Sequence, residues 1–344
     1  MLFNVEADRG DHIVGYLVPD DYTKSPTLKI MDDGGNFTQL HCVEERPALV
    51  LAGRHANGRC GFTVDTGVLP GLSQEHRIEL YDADTGVMIY RRRELSEVTQ
   101  QRIFRLETHL FPLWRLDETV EPKFQFFHKG VERHGRETAL QIMQLNNASS
   151  IYVSGRLAFR SYENFLHDQF RLVTLIHDPY CELAERLLTL KHSAQFGDKL
   201  LGPRDFVSYR AAIEFAQGIE PDRKSLRRAF DQMSKEAIGV LTNPLTRQLT
   251  AEQINDPPPK GAVAKALQAL SAFAIVGVRP QQEIFLEDLE TLMGEPRGVL
   301  PTLPVFSKMT ALAEELRILP EAEILLEQDL DVFLTVKSAV EEAA

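Results

Sequence analysis

An apolar segment of the chain ends in residues that are well suited to bind a ligand. The segment 171–176 has the composition of a buried strand, and His177, Asp178 and Pro179 follow it directly. Asp178 is a good helix N-cap, proline is tolerated in a first helical turn, and the leucines that follow have helical spacing. In an α/β sheet, a polar turn of this kind lies at the carboxyl ends of the strands, where ligands bind. The sequence therefore predicts a ligand-binding edge at His177.

A second polar turn follows the strand-like segment 124–128 and leads into a helical pattern. A lysine, free backbone N–H groups and arginines at a helix entry are groups that bind phosphate or sulfate. Glu132 and Glu137 lie in the same turn and oppose an anion, so the alternative interpretation is a solvated turn without a ligand. The residues predicted to bind an anion here are Lys129, Arg133, Gly135, Arg136 and Thr138.

Two further sets of residues are candidates for chemistry. His128, His134 and Glu137 are candidate general bases, because each side chain type takes up a proton from a hydroxyl group. Arg156, Arg160 and Arg247 are candidate ligands for an anionic substrate. For both sets a purely structural role remains open, as solvated or paired side chains.

Motifs for other chemistries are missing from the sequence. It contains neither HExxH nor GxSxG, and no phosphate-binding GxxxxGK[ST] or dinucleotide-binding GxGxxG. No cysteine and histidine pair has metal-ligand spacing, so no metal site is predicted.

Composition excludes several classes of protein. The formal net charge of −12 is unsuited to nucleic-acid binding, which needs a basic surface. The three cysteines, Cys42, Cys60 and Cys181, are widely spaced, which fits a reducing compartment. The first residues lack the pattern of a signal peptide, and no run reaches the 18 or so apolar residues of a membrane span. We therefore expect a cytoplasmic protein without a membrane span.

The chain of 344 residues is long enough for about two domains. Short alternating segments separated by turn residues predict a β-sandwich over 1–95. Ile103, Leu106, Leu110 and Leu113 have helical spacing, which predicts a helical connector over 96–121. Strand patterns that alternate with helical ones predict a helix-rich α/β domain over 122–344. The predicted fold is thus multidomain.

The stretch 151–190 resembles the nucleotide-binding core of the family 2, carbohydrate-type sulfotransferases. His177-Asp178-Pro179 stands where the family has Arg-Asp-Pro, and Gly155-Arg156 stands where it has Gly-His. Three later elements resemble family motifs in the same order, and the resemblance covers roughly residues 122–340. These elements are 243–249 (NPLTRQL), 273–277 (FAIVG) and 325–336 (LLEQDLDVFLTV).

The resemblance implies a three-layer α/β domain related to P-loop NTPases and the sulfate donor 3′-phosphoadenosine 5′-phosphosulfate. It assigns the phosphosulfate loop to residues 129–138, where the family's Lys-Thr-Gly core is missing. It also places His177, Glu182 and Glu185 where the family has an arginine, a second arginine and a serine for the 3′-phosphate. Carboxylates repel phosphate, and Arg156 cannot replace a histidine base. We therefore expect use of this donor to be impaired.

Three functions follow as alternatives. The first is a diverged sulfotransferase-like protein of bacterial surface or exopolysaccharide metabolism that binds a glycan, an anionic small molecule or a protein partner in polysaccharide assembly. The N-terminal segment also loosely resembles small sandwich modules fused to bacterial glycosyltransferases. The second is an active transferase with a donor site rebuilt from Lys129, Arg133 and Arg136. The third is a non-enzymatic assembly scaffold.

Overall fold

The computed structural model describes residues 1–32, 34–145, 148–197, 200–220 and 222–343. The chain divides into two compact units whose segments interleave along the sequence. The first unit comprises Met1–Arg102, Glu121–His128 and His134–Val153, and the second comprises Ile103–Val120, Lys129–Arg133 and Ser154–Ala344.

Antiparallel strands dominate the first unit. Within the described residues they form two four-stranded sheets, in the orders β1-β2-β6-β5 and β4-β3-β7-β8. Side chains alternate between buried and half-buried along β2 and β3, as expected of strands with one face on a core. The strands are β1 (Leu2–Asp8), β2 (His12–Val18), β3 (Thr27–Met31), β4 (Phe37–His41), β5 (Glu44–Glu45), β6 (Arg59–Asp65), β7 (Ile78–Asp82) and β8 (Met88–Arg92).

A parallel sheet of five strands has the order β10-β11-β9-β12-β13. The pairings of β10 with β11, of β9 with β12 and of β12 with β13 are all parallel. The mixed, multidomain fold class predicted from the sequence is confirmed. The strands are β9 (Arg102–Leu106), β10 (Phe126–His128), β11 (Ile151–Gly155), β12 (Arg171–Ile176) and β13 (Ile275–Val278).

Helices make up most of the rest of the described chain. They are α1 (Pro47–Leu51), α2 (Trp114–Val120), α3 (Arg136–Met143), α4 (Glu163–His167), α5 (Pro179–Lys191), α6 (Ser193–Phe196), α7 (Pro203–Ser208), α8 (Arg210–Gln217), α9 (Arg223–Asp231), α10 (Lys235–Leu241), α11 (Pro244–Thr250), α12 (Ala262–Leu270), α13 (Gln282–Met293), α14 (Ser307–Arg317) and α15 (Pro320–Ala343). None of them, within the described residues, is long and apolar enough to cross a membrane.

The predicted helix over 96–121 is wrong for its first half, because β9 occupies Arg102–Leu106. Ile103, Phe104, Arg105 and Leu106 are all buried. A strand that is covered on both faces shows no alternation of apolar and polar residues, so its pattern does not distinguish it from a helix. Only α2, which begins at Trp114, matches the helical prediction.

The helices α9 and α10 are separate. Ser234 adopts an extended conformation and its hydroxyl accepts a hydrogen bond from the backbone N–H of Ala237, which starts α10 as a separate helix. The predicted helix that begins at Asp178 is confirmed as α5, and the carboxylate of Asp178 accepts hydrogen bonds from the N–H groups of Tyr180 and Cys181.

One helical core of the second unit lies around α5. Leucines of α5 pack in one buried cluster with residues of α8, α9, α14 and α15. Buried members include Leu183, Leu187, Ala212, Leu226, Phe230, Leu312, Leu316 and Leu326. This packing fixes the position of α5, which carries several of the charged residues described below.

A substitution of Gly277 in β13 tests the packing of this strand against α13 in the second unit. A Cβ atom at this position would lie 2.5 Å from Cβ of Phe285 on α13. We expect Gly277→Ala to lower the free energy of unfolding by about 1–3 kcal/mol, because the strand and the helix would have to move apart.

Gly239 provides the matched control, since a Cβ atom there would meet no atom within 4 Å. Gly239→Ala lies within α10 and should stabilise the protein by about 0.5–1 kcal/mol. Urea unfolding of the two variants measures the difference, and equal effects would contradict the described contact.

Candidate functional site

The carboxyl ends of three neighbouring parallel strands carry charged and polar residues in the second unit. Glu107, Thr108 and His109 follow β9, His177 follows β12, and Arg279 follows β13. Because β12 pairs with both β9 and β13 in parallel, these residues lie at one edge of the sheet. Together with charged residues of β9, α2 and α5 we call them the carboxyl-edge cluster. Its members are Arg105, Glu107, His109, Asp117, His177, Glu182, Glu185, Arg186 and Arg279.

Arg105 connects two buried carboxylates. Its Nη1 lies 2.8 Å from Oε2 of Glu107, and its Nε and Nη2 donate to the carboxylate of Asp117 at 2.9–3.1 Å. Ser154 donates its hydroxyl hydrogen to Asp117 at 2.9 Å. All three charged side chains are at most 2 % exposed. These residues thus form one buried ion-paired group, which is expected to serve as a structural support.

Glu107 orients His109. One of its oxygens, Oε1, lies 3.0 Å from Nδ1 of His109 and accepts the backbone N–H of that residue, while Oε2 accepts the N–H of Leu113. Burial alone would raise the pKa of Glu107, but the charge of Arg105 and these hydrogen bonds hold it well below its usual range. Glu107 is therefore ionised and fixes one imidazole nitrogen of His109.

The two histidines of the cluster have opposite charge preferences. Burial acts to lower the pKa of His109, but the hydrogen bond to Glu107 and the charges of Glu185, Glu107 and Glu182 raise it overall. Burial, with the charges of His109, Arg279 and Arg317, lowers the pKa of His177 to about 2. The ring centroids lie 5.9 Å apart. His109 thus favours its protonated form more than a free imidazole does, and the neighbouring His177 is neutral.

Glu182 and Glu185 lie on α5 and are buried to more than nine-tenths. Nε of Arg186 is 2.9 Å from Oε1 of Glu182, and Oε1 of Glu185 accepts the backbone N–H of Phe111 at 3.1 Å. Burial, and then the charge of Glu182, raise the pKa of Glu185 to about 8. Glu185 is therefore a buried carboxyl group that can hold or release a proton near neutral pH.

Several polar atoms of the cluster have no hydrogen-bond partner within the described residues. Arg279 donates from Nη2 to the carbonyl of Pro304 at 2.8 Å, but its Nε and Nη1 are unpartnered. Nε2 of His109 and Nδ1 of His177 are also buried without a partner. Such atoms are rare in folded proteins and commonly mark sites of ordered water or ligands. The cluster offers N–H donors from His109 and Arg279 and an exchangeable proton on Glu185.

The structure places the predicted anion ligands in different environments. Lys129, in the second unit, pairs with Glu118 at 2.7 Å and lies 5.5 Å from the ring centroid of Trp114. Glu132 accepts the backbone N–H of Arg156 at 2.9 Å. Gly155 is required at this point, because a Cβ atom there would lie 2.6 Å from Oε2 of Glu132. The side chain of Arg133 is exposed.

The remaining residues of this turn belong to the first unit. His128 is 6 % exposed, and burial with the charges of His134 and Arg91 lowers its pKa to about 3, so its imidazole is neutral. Thr138 is buried and its hydroxyl contacts Asp20 at 3.4 Å. Gly135 is the N-cap of α3, Arg136 and Glu137 are exposed in its first turn, and His134 is half-buried.

Within the described residues, the three predicted substrate arginines do not line a common pocket. Arg156 is 5 % exposed, pairs with Asp205 at 2.9 Å and lies 5.9 Å from the ring of Tyr209. Arg247 is equally buried and donates to the carbonyl groups of Gly239 and Val240. Their guanidinium groups are therefore occupied by the protein itself.

Arg160, in contrast, lines a polar cleft of about 540 Å³. It pairs with Glu163 and its side chain is 59 % exposed. The cleft is lined by carboxylate, amide, hydroxyl and ammonium groups in addition to apolar residues. Its polar residues are Arg160, Glu163, Thr250, Glu252, Asp256, Lys265 and Gln268.

Sequence reasoning found His177, Glu182 and Glu185 but missed Glu107, His109 and Arg279. The signal for Glu107 and His109 was their position directly after β9, which the predicted helix concealed. Arg279 directly follows the predicted strand 273–278 and could have been found by the rule applied to His177.

Comparison with family models, curated proteins and solved structures finds no match to this chain.

A substitution of Asp117 tests whether its ion pair with Arg105 stabilises the carboxyl-edge cluster. We expect Asp117→Asn to lower the free energy of unfolding by about 3–5 kcal/mol, because it removes a negative charge that balances the buried guanidinium of Arg105. The control is Glu214→Gln, which breaks an exposed pair with Arg210 and should cost about 1 kcal/mol or less. Urea unfolding measures both, and a similar small loss in the two variants would contradict the assigned role.

The raised pKa of Glu185 predicts that the free energy of unfolding depends on pH. Its pKa is raised in the folded state, so the folded protein binds the proton more tightly than the unfolded chain. This contribution is fully present at low pH and is lost as the pH rises through about 8. Between pH 5 and 8 the wild type should lose up to about 1 kcal/mol per pH unit relative to Glu185→Gln.

The exposed Glu283 provides the control for this comparison. Glu283→Gln should follow the wild-type pH profile. Denaturation at a series of pH values measures the three proteins, and parallel profiles for wild type and Glu185→Gln would contradict the raised pKa.

Proposed function

We propose that the chain is a diverged sulfotransferase-like protein of bacterial surface or exopolysaccharide metabolism that binds a glycan and does not use the usual sulfate donor. In this proposal the two antiparallel sheets form the N-terminal β-sandwich module, and the parallel sheet with its helices forms the three-layer, P-loop-NTPase-like domain. The polar cleft around Arg160 carries the proposal for the ligand.

Contacts between two of the family-like elements support the resemblance. Asn243 and Asp329 belong to the segments that resemble the Asn-x-x-Thr-Arg motif and the terminal helix. Oδ1 of Asn243 accepts the N–H groups of Gln328 and Asp329, and the carboxylate of Asp329 accepts the N–H groups of Leu245 and Thr246. Asn243 adopts a left-handed conformation with φ of 42°. This reciprocal capping gives two motifs that are about 80 residues apart a common structural reason for their residue types.

The carboxyl-edge cluster argues against the usual donor. At the positions that the resemblance assigns to the 3′-phosphate, Glu182 and Glu185 are buried, and His177 is neutral. Arg186, the neighbouring guanidinium, pairs with Glu182 and donates to the carbonyl of Thr108. A phosphate here would lie beside carboxylates in a poorly solvated site, which is strongly unfavourable.

The cleft around Arg160 supports a glycan ligand. Sugar hydroxyl groups donate and accept hydrogen bonds, and the cleft offers acceptors on Glu163, Glu252 and Asp256 and donors on Arg160 and Lys265. Its volume is in the range of small-molecule sites in proteins. The mixed charge of the cleft favours hydroxyl-rich ligands over simple anions.

A reducing, cytoplasmic location is part of the proposal. Cys42, Cys60 and Cys181 are all free thiols. Burial and the charges of Cys60 and Asp82 raise the pKa of Cys42 to about 12. Thiols that stay protonated are poorly reactive and suit a compartment without disulfide formation.

Calorimetry with 3′-phosphoadenosine 5′-phosphate tests the exclusion of the donor. We expect no binding at millimolar nucleotide, because the two carboxylates occupy the phosphate positions. Micromolar binding to the wild type would contradict the proposal and favour an active transferase.

An array of bacterial exopolysaccharide fragments tests the glycan ligand. For a fragment that binds the wild type, Arg160→Ala should weaken the affinity by about tenfold, as expected for loss of hydrogen bonds to a charged group. Arg210→Ala is the matched control, because Arg210, like Arg160, is exposed and paired with a glutamate that is near in sequence. Failure to bind any fragment, or equal weakening by both variants, would contradict the glycan site.

A further inference from the structure

A second pocket, of about 350 Å³, is built mainly from aromatic and aliphatic side chains of the second unit. It is separate in its lining residues from the cleft around Arg160. We call it the phenylalanine pocket. Its lining residues are Phe111, Glu185, Leu188, Thr189, His192, Phe196, Phe306, Lys308 and Met309.

Three phenylalanine rings form steeply inclined walls of this pocket. The ring of Phe111 lies 6.3 Å from that of Phe196, with 66° between their planes, and 5.7 Å from that of Phe306, at 80°. Phe196 and Phe306 remain 38 % and 42 % exposed. Rings set at steep angles turn more than one π face or edge toward a shared space, which is the arrangement that recognises cations in aromatic cages.

Glu185 places a buried carboxyl group at the same pocket. It is 8 % exposed, and only its Oε1 has a hydrogen-bond partner within the described residues, the backbone N–H of Phe111. Among the described residues no cation lies within ion-pairing distance of Glu185, whereas Arg186 pairs with Glu182 and Arg105 with Glu107. Glu185 is therefore a buried carboxyl group whose charge is not balanced by an ion pair.

We propose that the phenylalanine pocket binds a methylated ammonium group, with the aromatic rings in contact with the cation and the Glu185 carboxylate balancing its charge. A methylated ammonium is weakly hydrated and apolar at its surface, so it suits a pocket with apolar walls and one carboxylate. This site is independent of the proposed glycan cleft, since the two share no lining residue.

Other charged groups around Glu185 set the pH dependence of this binding. Glu182 and Glu107 act against its ionisation, the charges of His109 and Arg279 favour it, and Lys308 and His192 line the pocket. Because burial and Glu182 raise the pKa of Glu185, a cation that binds the ionised form displaces a proton near neutral pH. Choline affinity should therefore rise between pH 6 and 9.

Calorimetry with choline on the full chain is the primary test, and the neutral carbon isostere dimethylbutanol is the matched probe. Choline should bind with release of a proton, measured in buffers of different ionisation enthalpy, and dimethylbutanol should bind at least about tenfold more weakly. Equal affinity for the two probes, or stronger binding of dimethylbutanol, would overturn the proposal. A trimethyllysine peptide as a third probe distinguishes a free small molecule from a modified protein as the source of the group.

Two substitutions with opposite expected signs sharpen the test. Glu185→Gln should weaken choline binding by about tenfold or more and abolish proton release, and Lys308→Gln should strengthen binding, because it removes a cation from the pocket. The opposite signs would show an anion site and overturn the proposal. Phe306→Leu keeps an apolar side chain but removes one π face, so it should weaken choline binding and leave dimethylbutanol binding unchanged. Thermal unfolding of each variant verifies that it folds.

Discussion

The carboxyl edge of the sheet depends on the ion pairs that the buried guanidinium of Arg105 forms with Glu107 and Asp117. A charged side chain that is 1 % exposed is stable only with close partners. The partners of Arg105 include Glu107 and Asp117, which lie on different elements of the second unit. Glu107 in turn holds His109 and the backbone of Leu113. One ion-paired group thus links β9, the loop after it and α2, and fixes the imidazole that faces the rest of the cluster.

This support explains how acidic residues are tolerated near the strand ends. Glu182 is paired with Arg186, and Glu185 is relieved of its charge by a raised pKa. The surroundings of these two glutamates differ. Glu182 lies beside the guanidinium of Arg186, whereas the protonation of Glu185, which has no ion pair within the described residues, responds to its surroundings.

The sequence was most informative where one face of an element is buried and a turn follows. The alternation along β2 and β3 and the Asp178 cap at the start of α5 are local signals, which the sequence pattern reports directly. β9 was missed because it is buried on both faces and its apolar spacing also fits a helix. Missing β9 removed Glu107 and His109 from the candidate list. Arg156 pairs with Asp205, which is distant in sequence, and Arg247 donates to backbone carbonyl groups of the preceding helix, α10. Neither pairing has a signal in the pattern of residue types.

The pairing of β9 with β12 has a consequence for how the protein is made. Ile103 pairs with Arg171, so β9 leaves the ribosome about 70 residues before this neighbour exists. At typical rates of translation this interval lasts several seconds, in which an apolar strand with Ile103, Phe104 and Leu106 has no β12 to pair with. Unpaired strands of this kind readily associate with one another. The nascent chain is therefore exposed to aggregation during this interval, and chaperones that hold apolar segments should associate with it until β12 has emerged.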